Sequence, residues 1–319
     1  MVLKILSTVK LPGYLKEELV NKFPDLDFNF DNRINDVLNE VKEAEVILTY
    51  GEDLTADIIG QAKELKWLMV ASAGMDKLPF DALIHQKVLV TNSKGVHKIP
   101  MAEYTISMML QISRESQQLR ENQQERKWDR RVKMHELHGK KIFILGAGAI
   151  GTEIARLAKA FGMKTEGMNR SGRIVEYFDE IHTYNGLEEG MRKADFVVSV
   201  LPSTKETKEL LDYKAFSWMK PEGIFINIGR GDAVCEADLV KALNEGKLKH
   251  AVLDVFEEEP LRENHPFWRM KNVTVTPHLS GITENYLPRA MDIFSRNLAI
   301  YIDGDYSSME NAIDLKQGY

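Results

Sequence analysis

Four polar residues close together in the last third of the chain have the types to do chemistry as a group: Arg230 in FINIGRG, Asp254 in AVLDVF, Glu259 in the EEEP that follows, and His278 in VTVTPH. Each sits at or just beyond the end of a short apolar run. A guanidinium can hold a carboxylate in a fork. An imidazole moves one proton near neutral pH, and a carboxylate beside it favours its protonated form and fixes its tautomer. Such a set can grip an acid group and protonate a neighbouring carbonyl oxygen. Taken singly, His278 and Asp254 could each cap a strand or turn, and Glu259, inside the run Glu257 to Glu259, could be solvated surface. Arg230 resists that alternative, because Gly229 and Gly231 imply a backbone that turns sharply to present one side chain.

A second constellation precedes it. KKIFILGAGAIGTEIARLAKAFG places Gly146, Gly148 and Gly151 after a strand-like run and at the opening of a helix. Ile150, Ile154, Leu157, Ala158 and Phe161 share one face of that helix, and Gly162 ends it. That context is what the dinucleotide fingerprint requires. Gly146 permits the tight turn, Gly148 lets backbone approach a pyrophosphate, and Gly151 lets helix pack on strand. The free N–H groups of the first helical turn, at Ala149 and Ile150, favour the anion. The alternative is a glycine-rich turn shaped by packing alone.

The position that reads the adenosine ribose lies about twenty residues on, at the end of the next strand. There the chain reads MNRSGR, with Asn169 where an Asp would accept from the ribose hydroxyls and repel a 2′-phosphate. Asn169 cannot repel it, Arg170 can hold it, Ser171 adds a short donor and Arg173 a second charge. NADP(H) is therefore expected over NAD(H), with NAD(H) or dual use as the alternative if the arginines are incidental. Joined to the first constellation, this gives a carbonyl-reduction site: hydride from a dihydronicotinamide, the proton from His278, and Arg230 on the acid group.

The elements that must position these residues are short apolar runs between amphipathic stretches. LKIL, EVILTY, LKWLMV and KVLVTN form one series; KIFILGAG, MKTEGMN, ADFVVSVLP, GIFINIGRG, HAVLDVF and VTVTPH form another. This alternation predicts α/β architecture with two doubly wound parallel sheets. Pro100 introduces a core helix with Met101, Tyr104, Met108, Met109 and Ile112 on its apolar face. Residues 113–131, polar nearly all round, read as a solvated helix or an arm across another subunit. A final helix is expected from Thr283 to Ile302. A chain of 319 residues is long enough for two domains, and its 44% hydrophobic and 28% charged residues are ordinary for an enzyme. A net charge of -6 argues against nucleic acid or an anionic membrane as partner. The N-terminal apolar run is too short for a signal or a membrane span, and a single cysteine, Cys235, fits a reducing compartment, so a cytoplasmic location is expected. His135 and His138 lack further ligand-spaced partners, so no metal is expected.

The glycine loop, LPSTKET (201 to 207), INIGRG, LDVFEEEP and TPHLSG, in this order and spacing, resemble the D-isomer-specific 2-hydroxyacid dehydrogenase family over nearly the whole chain. The resemblance implies that Arg230, Glu259 and His278 are the catalytic set and that Asp254 meets the nicotinamide carboxamide. It implies cofactor contacts at Leu201, Pro202, Thr207 and Ile228, and substrate-carboxylate binding by backbone amides of ASAGMD, at Ala73 and Gly74. It further implies a Rossmann cofactor domain, residues 99–283, inserted into a flavodoxin-like substrate domain made of 1–98 and 284–319, and a homodimer in which 113–131 has a job. Tyr50 and Gly51 are expected at the mouth of the pocket. The N-R-S turn and HPFW (265 to 268) are most similar to the NADPH-using glyoxylate and hydroxypyruvate reductase branch. Glu259, where formate dehydrogenases place Gln, disfavours that reaction. NSKG (92 to 95) and HKIP (97 to 100) depart from the family pattern near the domain junction. The alternatives are an NAD-dependent D-3-phosphoglycerate or other D-2-hydroxyacid dehydrogenase and, from another class, a dinucleotide-sensing protein like the related C-terminal-binding corepressors, whose tails this chain lacks.

Overall fold

A computed structural model describes residues 2–72 and 78–315. The chain divides into two compact units, residues 1–96 with 283–319, and residues 97–282, the second inserted into the first.

In the first unit, β1 (Lys4–Ser7), β2 (Asp27–Phe30), β3 (Val46–Thr49), β4 (Trp67–Val70) and β5 (Leu89–Asn92) form one sheet in the order β2-β1-β3-β4-β5. Every pairing is parallel. Alternate residues of each strand enter different cores. Ile5, Val46, Leu48, Trp67 and Met69 meet Leu15 and Leu19 of helix Gly13–Lys22 and Phe294 and Leu298 of helix Tyr286–Asp303. Leu6, Ile47, Leu68 and Val70 meet Ile58, Ile59 and Leu83 on the other face. Burial on both faces is why these strands read as unbroken apolar runs rather than alternating ones. Trp67, fully buried, stacks on Phe294 at 5.4 Å between centroids and donates its indole N–H to Thr91 at 3.0 Å. An indole in a core needs such a partner.

The second unit has seven strands: β6 (Lys141–Leu145), β7 (Lys164–Met168), β8 (Glu180–His182), β9 (Phe196–Ser199), β10 (Ile224–Asn227), β11 (His250–Leu253) and β12 (Val273–Val275). Their order is β12-β11-β10-β9-β6-β7-β8, again wholly parallel. Chain direction across the sheet reverses between β6 and β9. At such a switch point the two crossovers leave to opposite faces and open a crevice at the carboxyl ends of the strands.

Two edge strands, β2 and β8, are absent from the apolar runs of the sequence. DFNF and EIH are each half exposed, so their composition lacks a two-sided burial signal. The polar segment after Pro100 also departs from expectation. Helix Lys98–Ser113 stops at Arg114, Glu115 takes a left-handed φ of 51°, and a second helix runs only over Ser116–Gln124. Residues 125 to 131 are not helical, and Trp128 within them is 92% exposed. No helix among the described residues is long and apolar enough to cross a membrane.

Candidate active site

At the switch point the glycines have separate jobs. Gly146 takes φ of 109°, and a Cβ there would lie 2.9 Å from the carbonyl oxygen of Val200 beyond β9. A Cβ on Gly151 would lie 2.1 Å from the Gly146 oxygen, so only glycine lets the helix approach this closely. Gly148 is different: nothing lies within 4 Å of its Cβ position, and its exposed backbone borders open space. It also N-caps helix Ala149–Ala160 without any side-chain capping bond. First-turn N–H groups without a side-chain cap, beside an open cradle, fit a pyrophosphate.

Beyond β7 the turn expected to read the ribose is stapled to itself. Asn169 Nδ2 donates to the Arg173 carbonyl at 2.9 Å, while its Oδ1 accepts from Ser171 N at 3.1 Å and Ser171 Oγ at 3.3 Å. Gly172, at φ of 68°, completes the bend. The amide of Asn169 is thus committed inside the turn, and Arg170, Ser171 and Arg173 are the exposed members. Arg170 faces the 201–207 segment. Glu206 there is held below the ordinary carboxylate range by its own backbone N–H and the Thr204 hydroxyl, with Arg170 adding charge.

Three further residues expected at the cofactor are buried: Leu201 (4% exposed), Thr207 (1%) and Ile228 (1%). Thr207 Oγ1 donates to the Pro202 carbonyl at 2.6 Å and accepts from Thr204 N at 2.9 Å, which folds the loop back and leaves Pro202 exposed.

Around Arg230 the two glycines are required by close approach. A Cβ on Gly229 would be 2.6 Å from Leu201 N, and one on Gly231 would be 1.9 Å from the carbonyl carbon of Phe256. Buried Asn227 secures the turn, its Oδ1 accepting from Gly229 N at 3.2 Å and its Nδ2 donating to the Arg230 carbonyl at 3.1 Å. The exit of β10 is therefore pressed against the exits of β9 and β11, with the Arg230 side chain left exposed.

Glu259 and His278 meet. Nδ1 of His278 lies 2.8 Å from Glu259 Oε2, and Oε1 of the same carboxylate accepts from Phe256 N at 3.0 Å. An ionised carboxylate only accepts, so Nδ1 carries the proton and Nε2 points onward to whatever binds. The His278 side chain is 53% exposed, accessible to a ligand. Its backbone is strained: φ is 51°, the left-handed region, at a cost on the order of 1–3 kcal/mol for a residue with a Cβ.

Asp254 is fully buried, and its carboxylate accepts from Leu279 N (2.9 Å), Ser280 N (2.9 Å) and Thr276 Oγ1 (2.6 Å). A residue expected at the carboxamide is thereby fastened to the turn that bears His278.

His97 was missed in the sequence, where HKIP registered only as a departure. Its Nδ1 donates to the Gly281 carbonyl at 3.2 Å. Burial lowers its pKa, opposed by that bond, and the charges of Arg230 and His278 lower it further, which brings all three within one electrostatic neighbourhood. Tyr104 and Thr276 were also missed as site residues; Tyr104 shares the helical spacing of core residues.

In the first unit, Ala73 and Gly74 lie outside the described residues. Gly51, at φ of 85°, donates to Thr49 Oγ1 at 3.0 Å, and Tyr50 beside it is 38% exposed. Tyr286 donates its hydroxyl to the Ala71 carbonyl, just before that stretch. The described residues contain one carboxylate and imidazole cluster with metal-like spacing, Glu166, Glu180 and His182. Lys141 Nζ at 3.0 Å from Glu166 accounts for that buried carboxylate as an ion pair.

Residues 106–280 match the family model for the D-isomer specific 2-hydroxyacid dehydrogenase NAD binding domain. A glyoxylate reductase from Aeropyrum pernix is 34% identical over 278 residues, 84% of this chain and 83% of that protein. A D-3-phosphoglycerate dehydrogenase from Methanocaldococcus jannaschii is 32% identical over 88% of this chain, which spans 53% of that longer relative. A crystal structure of a D-isomer specific 2-hydroxyacid dehydrogenase family protein from Aeromonas salmonicida superposes with a TM-score of 0.84 at 34% identity, covering 98% of this chain and 99% of that one. With its glycine cradle, two parallel sheets and these matches, the chain belongs to the D-isomer-specific 2-hydroxyacid dehydrogenase family and is a nicotinamide-dependent oxidoreductase.

Proposed function

We propose that this enzyme reduces a small 2-keto acid, glyoxylate or hydroxypyruvate, with NADPH. The observation that carries the proposal is the 2.8 Å contact between His278 Nδ1 and Glu259 Oε2, with Arg230 in the same neighbourhood. A dinucleotide bound at the glycine cradle would supply the hydride for the carbonyl carbon from its dihydronicotinamide. Arg230 grips the substrate's carboxylate through paired N–H donors and polarises the neighbouring carbonyl. His278 passes its Nε2 proton to the carbonyl oxygen, completing the hydroxyl, while Glu259 keeps the ring facing it. Proton transfer of this kind is worth about 10² to 10⁴ in rate.

The preference for NADPH rests on Arg170, Ser171 and Arg173 at the exposed end of β7, where Asn169 stands in place of an Asp that would repel a 2′-phosphate. Under this reading the second unit binds the dinucleotide and supplies Arg230, Glu259 and His278, and the enzyme works as a cytoplasmic homodimer in which the segment around exposed Trp128 is the contact arm. The M. jannaschii relative favours a second reading, oxidation of D-3-phosphoglycerate with NAD.

A panel of 2-keto acids assayed with NADPH and NADH side by side separates the two. Turnover of glyoxylate or hydroxypyruvate with NADPH is expected; a strong NADH preference, or activity only on the phosphorylated substrate, overturns the first reading.

A further inference from the structure

The Proposed function needs His278, and what keeps that residue in place is a question the reaction itself leaves open. Its φ of 51° is a conformation an unassisted histidine leaves, so something must hold the turn from Thr276 to Gly281. Two backbone bonds begin the work, from His278 N to the Asp254 carbonyl at 2.8 Å and to the Thr276 carbonyl at 3.0 Å. The carboxylate of Asp254 adds the bonds to Leu279 N and Ser280 N. Its Oδ1 also accepts from Thr276 Oγ1 at 2.6 Å, which uses the only proton of that hydroxyl. Tyr104 OH lies 2.6 Å from the same Thr276 oxygen. With the threonine proton directed to Asp254, the tyrosine must be the donor to Thr276. Burial pushes the Tyr104 hydroxyl up to about 12, so it keeps the proton this bond requires.

We propose that Tyr104 and Thr276 are positioning residues for the proton donor: a relay from Tyr104 OH through Thr276 Oγ1 to Asp254 holds the left-handed turn that aims His278 at its substrate. The proposal rests on the reading of His278 as proton donor. Tyr104 touches no reacting atom. It belongs to helix Lys98–Ser113, which starts one residue after the chain enters the second unit, so the helix and the His278 turn, whose bonded residues are 172 apart in sequence, are tied at one hydroxyl.

The relay predicts a graded series. Thr276→Val keeps the shape of the side chain and removes both bonds; kcat for glyoxylate with NADPH should fall about tenfold, since Asp254 Oδ1, buried, is left with the Leu279 N–H alone. Thr276→Ser keeps the hydroxyl and should return kcat to within about twofold of the parent. Tyr104→Phe removes only the outer bond and should cost a few-fold. The double variant, Tyr104→Phe with Thr276→Val, should be no slower than Thr276→Val alone, because the tyrosine acts through the threonine. NADPH affinity, followed by fluorescence titration, should stay within about twofold throughout. On the cofactor-free protein, the His278 ring signals in histidine-selective NMR should move in Thr276→Val and hold their place in Thr276→Ser.

Parental kcat in Thr276→Val, or equal impairment in the Ser variant, overturns the relay. If Thr276→Val does not fold, Tyr104→Phe carries the test, and parental kcat together with unmoved ring signals in it overturns the relay. Should His278→Gln retain full turnover, the proton-donor reading fails by itself, and the NMR comparison still decides whether the relay sets the turn.

Discussion

Two turns of the second unit, each at the carboxyl end of a strand, are held in opposite ways. The side-chain bonds of Asn169 in the turn after β7 are local, and a ladder bond from its backbone N to the His182 carbonyl at 3.0 Å ties the turn to β8. Asn169 bonds to residues two and four positions away, and Gly172 supplies the positive φ. The turn after β12 is held from afar. Asp254 is 22 to 26 residues distant from the groups it binds, Tyr104 lies 172 residues from Thr276, and His97 lies 184 from Gly281. On the proposed reading the first turn presents charged side chains to an anion that long-range attraction helps to place, so moderate order is enough, whereas the second aims one ring nitrogen for proton transfer, where small misplacements cost large factors in rate. The difference teaches that positional demand, rather than closeness to a strand end, decides how many distant groups are recruited.

The comparison breaks most visibly at His278. His278→Gln removes the proton donor while retaining a side chain that can reach Glu259; kcat should drop by about 10² to 10⁴ with the NADPH dissociation constant unchanged. Equal losses in both would mean the two turns are not separate.

Gly231→Ala attacks the distant supports directly. A Cβ 1.9 Å from the Phe256 carbonyl carbon forces apart the backbones that carry Arg230 and Glu259. A loss of about 2–4 kcal/mol in urea denaturation is expected, together with most of the turnover.

Arg170→Ala tests the local turn, where only the ligand contact should suffer. KM for NADPH should rise about tenfold, the size of one charge-assisted hydrogen bond, with NADH kinetics unchanged. Parallel steady-state assays with the two cofactors check it, and an equal effect on both removes the 2′-phosphate assignment.

The smallest effect concerns His250 at the head of β11, the strand that delivers Asp254. Burial lowers its imidazole to about 4, and Nε2 lies 2.9 Å from Thr274 Oγ1. The unfolded chain, with an ordinary histidine near 6.5, takes up a proton that the folded form resists. Stability is therefore complete above about pH 6.5 and declines as pH falls toward 4, by at most on the order of 3 kcal/mol. The difference in urea midpoint between the parent and His250→Gln, measured at pH 7 and pH 4.5, should change accordingly. A constant difference would show that His250 does not titrate in this window.

These contrasts also mark what was legible beforehand. The buried strands of both sheets stood out because two-sided burial leaves apolar runs such as KIFIL and FVVS. β2 and β8 did not, because an edge strand carries polar residues on its open side. The polar stretch after Ser113 has a composition that tolerates helix throughout, and nothing in it announced the reversal at Glu115 or the end at Gln124. Arg230, Glu259 and His278 were named from residue type and spacing, yet Tyr104, with the helical spacing of a core residue, could not be told from Met101 or Met108.

By itself the sequence determined what local rules can determine: the glycines that no other residue could replace, the apolar strands, the arginine turn, and the identity of the ionisable groups at strand ends. The tertiary structure alone decided that Glu259 and His278 touch and that Asp254 and Tyr104 fasten a strained histidine. The physical reason is that a glycine's steric role and a strand's burial are imposed within a few residues, whereas a hydrogen bond between residues 172 apart exists only after the seven strands of the second sheet and the helices between them have brought its partners together.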